Sequence, residues 1–181
     1  MLISDNYKKL NTELHQENAG YGTSSTQYLR AIANFAMQLE ADNIIDYGCG
    51  KGMLAKEIGD KIEVVEYDPA IEGKDKDPKA CDMLVCVDVM EHIEPECVND
   101  VISHMAEKTL KGAFITICTV PAKKVLSDGR NAHICLESLG WWVDKFANYF
   151  GHIVVLTGDK TFALMVQGKT EPQKEKSRII T

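Results

Sequence analysis

Apolar residues along the chain fall into short runs that switch between a helical and a strand period. Leu10 and Leu14 mark a short helix in an otherwise polar leader. Residues 24–26 then offer Ser and Thr N-caps to a helix with Leu29, Ile32, Phe35, Ala36 and Leu39 on one face. A strand ends at Ile44-Ile45, a short helix through Leu54 and Ile58 stops at Gly59, and a second strand runs through residues 61–68. Residues 82–87 are almost continuously apolar, as a central parallel strand covered on both faces must be. A helix opening at Pro95, a residue suited to a first turn, places Val98, Val101, Ile102 and Met105 inward, and Gly112 is expected to end it. Residues 113–119 form the next buried strand, and a polar loop over 121–131 leads through His133 into a helix bearing Leu136, Leu139, Trp142, Val143 and Phe146. Of the adjacent tryptophans, Trp142 is assigned to the core and Trp141 to the surface or an interface. The close is a hairpin, Ile153-Val154-Val155-Leu156, a Gly158-Asp159 turn, and Phe162-Ala163-Leu164-Met165-Val166.

Strand and helix alternate, which defines an α/β fold: a doubly wound sandwich on a mostly parallel sheet with an antiparallel last strand. One interval is too short for the pattern. Residues 70–80 are charged and broken by Gly73 and Pro78, so they read as loop without helix. That leaves a sheet edge and part of one face open, an invitation to self-association as a homodimer. The organisation expected is an N-terminal cap segment over 1–23, one domain over 24–167 and a disordered polar tail over 168–181, with no internal repeat.

The run Ile44-Ile45-Asp46-Tyr47-Gly48-Cys49-Gly50-Lys51-Gly52 joins the first strand to the short helix. A sharp strand-to-helix turn and a close approach to a ligand both favour backbone without Cβ. The spacing is G-x-G-x-G, with Met53 where a dinucleotide fingerprint places its third glycine. An acid directly before the first glycine suits an ammonium group better than a pyrophosphate. A tight connection with no ligand is the plainer alternative. Against it stands Asp68, at the end of the second strand and about 20 residues beyond Asp46, where a neighbouring parallel strand offers a carboxylate to ribose hydroxyls. The Asp68-Pro69 step then turns the chain out of the strand.

The glycine run resembles motif I of the class I S-adenosylmethionine-dependent methyltransferases, and the resemblance covers about residues 24–167. It implies a Rossmann-like methyltransferase sandwich of the small stand-alone bacterial or phage type, with S-adenosylmethionine held by Asp46, Tyr47, Gly48, Cys49, Gly50, Asp68, Pro69 and Asp88. The chain departs from the family pattern after Asp68, where a strand and the acid that often meets the adenine are shortened or missing; Asp75 or Asp77 is the substitute at hand. N-terminal segments in this superfamily often fold over the cofactor, so Tyr21 and Gly22 either close the pocket or pack on the helix that follows.

The 181 residues suffice for one domain with a sound core. Hydrophobic content of 45% and charged content of 26% are those of a soluble globular protein. A net charge of −7 argues against a protein built to hold nucleic acid, whose phosphates favour basic surfaces; Lys123, Lys124 and Arg130 are the one local basic group beside the expected site. Cysteines 49, 81, 86, 97, 118 and 135 show no C-x-x-C and no disulfide framework, and the apolar setting of Cys81, Cys86 and Cys118 suits small hydrophobes. Reduced thiols imply a cytoplasmic setting. No run approaches membrane-spanning length, and the first residues do not read as a signal peptide.

Methyl transfer is an in-line displacement in which the cofactor supplies the electrophile and the protein aligns the acceptor and manages its proton. The segment Asp88-Val89-Met90-Glu91-His92 follows the strand at 82–87, and one turn of helix there puts 88, 91 and 92 on one face. It resembles the D/E-x-x-E-H segment of ubiquinone-biosynthesis O-methyltransferases and small-RNA 2′-O-methyltransferases, in which acids and histidine hold a divalent metal. His133 falls where those families add a histidine or polar substrate contacts. Three roles stay open: a metal site of Asp88, Glu91, His92 and His133; a metal-free acceptor pocket with His92, His133 and Glu91 as catalytic groups; or a structural turn. His92 and His133 are expected to approach one another, whereas His15, His104 and His152 are assigned to solvated faces or element ends.

The function expected is methyl transfer to oxygen or nitrogen of a small-molecule acceptor. One rival is a metal-dependent nucleic-acid or nucleotide methyltransferase; the other is a non-catalytic S-adenosylmethionine-binding protein. No Asn/Asp-Pro-Pro-aromatic motif follows the strand at 82–87, which disfavours methylation of DNA base amines.

Overall fold

The computed structural model describes residues 1–18 and 22–168. The expected tail therefore lies outside the described residues except for Gly168, which ends a strand, and Tyr21 lies outside them too. The elements are α1 (Asp5–Glu17), α2 (Leu29–Gln38), β1 (Asn43–Tyr47), α3 (Met53–Ile58), β2 (Glu63–Tyr67), β3 (Cys81–Val87), α4 (Val98–Lys108), β4 (Thr109–Cys118), α5 (Leu139–Ala147), β5 (Phe150–Thr157) and β6 (Thr161–Gly168). Six strands form one sheet in the order β2-β1-β3-β4-β6-β5. β2, β1, β3 and β4 pair parallel, and β6 enters antiparallel between β4 and β5. The strand order reverses between β1 and β3, so a crevice opens beyond their carboxyl ends.

Strand alternation divides the core in two. On one face Ile45, Leu84, Cys86, Ile115 and Ile117 pack against Val101 and Met105 of α4 and Trp142 and Phe146 of α5. On the other, Ile44, Met83, Val85 and Phe114 meet Ile32 and Phe35 of α2 and Leu54 of α3. Trp142 is fully buried, as its place in the pattern predicts. A third, smaller cluster joins Tyr7 and Leu10 of α1 to Leu126 and Ala132 in the loop after β4.

Two elements differ from the sequence reading. Pro95 opens a single 3-10 turn before α4, and α4 ends at Lys108, with the Thr109 hydroxyl donating to the Met105 carbonyl at 2.7 Å. Gly112 lies inside β4 instead of stopping the helix. A Cβ there would stand 2.9 Å from the Val166 carbonyl oxygen and 3.0 Å from a Leu39 methyl, so the glycine records close packing within the sheet and under α2. The helix expected just after His133 begins only at Leu139. Ser138 caps it by accepting from the Trp141 N–H at 3.2 Å, while the Ala132 and Cys135 N–H groups are committed to the Lys124 and Glu91 carbonyls. Leu136, outside the helix, is exposed.

Residues 70–80 hold no helix, as expected. Hydrogen bonds and ion pairs replace the missing elements: the Asp68 N–H donates to the Lys74 carbonyl, and Asp77 reaches His104 at 2.8 Å and Lys108 at 2.7 Å on α4. β2 is thus an edge strand with Val64 and Val65 only half-buried. Among the described residues no helix is long and apolar enough to cross a membrane.

Candidate active site

The glycine loop after β1 is fixed from three sides. Gly48 and Gly50 take φ values of +74° and +51°, in the left-handed region open to glycine. A Cβ on Gly48 would fall 2.5 Å from a Val89 methyl, and one on Gly50 would fall 2.7 Å from the Gly22 Cα. The first contact joins the loop to the turn after β3, and the second joins it to the N-terminal segment. The Gly48 and Cys49 N–H groups donate to the Tyr67 carbonyl at 2.7 and 3.1 Å. Asp68 accepts from the Gly50 and Ala70 N–H groups at 3.0 Å each, and the Lys74 ammonium donates to the Gly50 carbonyl at 3.1 Å. Beneath the loop, the Asp46 side chain is buried with one carboxylate oxygen lacking a hydrogen-bond partner among the described residues. Burial, reinforced by Glu66, raises its pKa to about 7.

Across the crevice, β3 ends in Asp88, a non-glycine residue at φ +53°. Such a conformation persists only where its surroundings impose it. Here Thr116 of β4 does so, its hydroxyl donating to Asp88 Oδ1 at 2.9 Å and its backbone carbonyl accepting from the Asp88 N–H. A 3-10 turn, Met90–His92, follows. Glu91 within it is fully buried; Oε1 accepts from the Cys118 N–H at 3.0 Å, and Oε2 has no partner among the described residues. Burial first, and Asp88 second, push its pKa up to about 8, so the carboxyl is mostly protonated at neutral pH. His92 donates from Nδ1 to the Ala132 carbonyl at 2.8 Å, and His133 donates from Nδ1 to the Val120 carbonyl at 2.6 Å. Those bonds fix both tautomers and leave Nε2 as the lone-pair nitrogen of the neutral ring. The two rings meet edge to face at 4.7 Å. Burial, then the neighbouring His133, lowers the pKa of His92 to about 3.

α1 and the loop over 121–134 lie across the crevice and wall a partly open cavity of about 570 Å³. Asp46, Tyr47, Gly48, Cys49, Asp68, Pro69, Asp88, Glu91, His92 and His133 all line it, while Gly50 contributes behind the wall through its bond to Asp68. Of the four residues expected to gather as a metal set, only Glu91 and His133 do so, and their third member is Cys118: one potential ligand atom from each lies within 4.8 Å of the others. Asp88 is turned to Thr116 instead. Asp75 and Asp77 line no part of the cavity and pair with Lys8 and with His104 and Lys108.

Sequence reading missed the contribution of α1. Tyr7, Asn11 and His15, each four residues apart, present one helical stripe to the cavity. His15, in the last turn of α1 and so at an element end as expected, faces the crevice and not solvent: its Nε2 stands 4.0 Å from Asp68, and burial lowers the pKa of the ring. The stripe was readable beside Leu10 and Leu14. His104 is likewise half-buried, between the Tyr47 hydroxyl at 2.9 Å and Asp77, whereas His152 is exposed as expected. Lys123 and Lys124 line the cavity, and Arg130 pairs with Asp128 and stacks over the Tyr7 ring.

A family model described as a methyltransferase domain matches residues 17–166, and the chain belongs to that family; with this sheet and glycine loop it is a class I S-adenosylmethionine-dependent methyltransferase. Its fold is similar to that of DhpI, solved as an SAH complex (TM-score 0.64, 12% identity, 91% of this chain and 98% of that one). It is also similar to the Burkholderia thailandensis 1,6-didemethyltoxoflavin-N1-methyltransferase, solved with 1,6-didemethyltoxoflavin and S-adenosylhomocysteine (TM-score 0.61, 12% identity, 92% and 90%). It spans 57% of the length of an O-methyltransferase family protein from the same organism (TM-score 0.49, 14% identity, 78% of this chain). No curated protein matches the chain in sequence.

Proposed function

We propose that this chain binds S-adenosylmethionine at the β1 end of the cavity and methylates oxygen or nitrogen of a small-molecule acceptor at the β3–β4 end. The observation that carries the reading is a single, partly open cavity of about 570 Å³ that has the glycine loop at one end and Glu91, His92 and His133 at the other. Small-molecule sites span roughly 300–1,000 Å³, and one cavity of this size has to hold cofactor and acceptor together. A polymer would need an open groove, and α1 lies across it.

The residues present fit the cofactor. The unpartnered, buried Asp46 oxygen suits an ammonium group, the loop at Gly48 and Gly50 leaves no room for a Cβ, and Asp68 keeps lone pairs for ribose hydroxyls beyond the two N–H groups it accepts. When bound, S-adenosylmethionine supplies a sulfonium methyl as electrophile. The chain supplies alignment: Nε2 of His92 and of His133 accept from the acceptor, and the protonated Glu91 carboxyl donates to it from Oε2. α1, which lies across the crevice, limits the access of water. DhpI, solved as an SAH complex, and the toxoflavin enzyme, solved with S-adenosylhomocysteine and 1,6-didemethyltoxoflavin, are similar in fold and support a cofactor and a small acceptor as the occupants. All six cysteines are free thiols, which supports a reducing, cytoplasm-like setting.

The test is methyl transfer from labelled S-adenosylmethionine into a cell extract separated into small-molecule, nucleic-acid and protein fractions. Label in the small-molecule fraction is expected. Label confined to nucleic acid or protein overturns the acceptor class. A protein with no calorimetric affinity for S-adenosylmethionine overturns the cofactor assignment.

A further inference from the structure

The acceptor end of the cavity contains a second donor set whose composition differs from any hydroxyl-binding pocket of carboxylate and imidazole alone. Glu91 at the turn after β3, Cys118 at the last residue of β4 and His133 in the loop beyond converge with one potential ligand atom each inside 4.8 Å. All three line the cavity. Each is oriented by a bond that leaves a ligating atom over. Glu91 spends Oε1 on the Cys118 N–H and keeps Oε2 buried without a partner among the described residues. His133 spends Nδ1 on the Val120 carbonyl, which fixes the tautomer with Nε2 as donor atom, the outer arrangement that metal-bound histidines show. The Cys118 thiol makes one long contact, 3.7 Å, to that same carbonyl.

We propose that Glu91, Cys118 and His133 bind a Zn²⁺ ion whose fourth position faces the acceptor. One oxygen, one sulfur and one nitrogen ligand suit a borderline-soft ion and disfavour Mg²⁺ and Ca²⁺, which take oxygen sets. Three protein ligands with one open position is the form of a catalytic zinc site. On binding, the Cys118 thiol and the Glu91 carboxyl would give their protons to solvent, and Glu91 Oε2 and His133 Nε2 would turn to the ion from the direct acceptor contacts they make in the metal-free chain, leaving the ion and His92 to meet the acceptor. The inference rests on the methyltransfer reading for its use: zinc lowers the pKa of bound water to about 7, and would ease proton loss from an acceptor hydroxyl in the same way.

The experiment titrates the purified, metal-stripped full chain with Zn²⁺ alone by competition against a chromophoric chelator, and repeats the titration with Co²⁺ to read the thiolate-to-metal charge-transfer band. One equivalent of Zn²⁺ is expected, undisplaced by excess Mg²⁺. Cys118→Ser and Glu91→Gln should each weaken it at least about 10–100-fold, the range already seen on losing an outer-shell partner. The Co²⁺ band should vanish in Cys118→Ser, while S-adenosylmethionine affinity by calorimetry stays within about twofold, which also reports that the variants fold. A wild-type chain that binds S-adenosylmethionine but no Zn²⁺ overturns the zinc site alone, as does Zn²⁺ affinity unchanged in both variants. A chain that binds Zn²⁺ at these residues but no S-adenosylmethionine overturns the cofactor reading alone.

Discussion

Burial keeps the Asp46 carboxyl protonated over a range in which a free aspartate is charged, and this links cofactor binding to pH. Its pKa rises from 3.8 to about 7 in the ligand-free protein, with Glu66 adding to the burial. An ammonium group placed against it favours the carboxylate. Affinity for S-adenosylmethionine should therefore increase as pH rises from 6 to 8, and binding near pH 6 should release a proton. Calorimetry in buffers of different ionisation enthalpy reads that proton, and Asp46→Asn should abolish it. The sign for folding is opposite. Between about pH 4 and 7 the folded, ligand-free chain holds a proton that the unfolded chain has lost, so stability falls across that window, by up to on the order of 4 kcal/mol at 1.36 kcal/mol per pKa unit. Denaturant midpoints that rise with pH over the window would refute this account of Asp46. Asp68 makes a second prediction. Two charged hydrogen bonds to ribose are each worth about 1.5–3 kcal/mol, so Asp68→Ala should weaken the cofactor at least tenfold, and unchanged affinity would remove the ribose assignment. That Asp46, Asp68, Glu91 and His92 would line one crevice was legible because each lies near a strand's carboxyl end or in the turn after one. Cys118 was not, since an apolar strand hides the fact that its last residue emerges at the crevice.

Loop and helix lengths decided which elements could be read from the chain. β1, β3 and β6 are buried and dense in β-branched or large apolar residues, so their pattern admits little else. Gly112 misled because a glycine after a helical run suits a helix stop, and only the packed sheet shows it as a point of close approach to Val166 and Leu39. The stretch before α5 misled for a related reason: its backbone donors go to Lys124 and Glu91, partners remote in sequence. Gly50 is the opposite case, a position whose local signal and tertiary role agree. Gly50→Ala would strain a left-handed residue by roughly 1–2 kcal/mol and drive its Cβ into Gly22. The expected result is an unfolding free energy from urea titration lowered by at least that strain, with S-adenosylmethionine affinity reduced at least tenfold as the N-terminal segment is pushed off the loop. A variant with native stability and affinity would show that the Gly22–Gly50 contact does not shape the site.

At the scale of the molecule, α1 bridges the two banks of the crevice. On the β2 side, Thr12 donates to the Ala70 carbonyl at 2.8 Å and Lys8 pairs with Asp75 at 3.3 Å. On the other, the Ser4 N–H and hydroxyl both donate to Glu94, at 2.8 and 2.7 Å, and Ser127 donates to Glu13 at 2.8 Å. Tyr7 and Leu10 pack on Leu126 and Ala132, so helix and loop share a small core separate from the two that hold the sheet. Sequence could suggest a cap from a polar leader with a few apolar positions, but not which banks it joins, because every partner is distant along the chain. A small core and polar ties, two of them exposed, open more readily than the sheet beneath them, and opening of α1 would widen the way into the cavity. Residues 1–17 and 121–134 should therefore exchange amide hydrogens as one unit, faster than β3 and β4, in the ligand-free protein. Saturation to about one hundred times Kd adds about 2.7 kcal/mol, or a Tm gain of roughly 5–11 °C at 2–4 °C per kcal/mol, and should slow exchange in both segments by a common factor. Exchange that slows in the loop over 121–134 while α1 is unaffected would show that the helix does not close the site, and that the cavity is reached past a static α1.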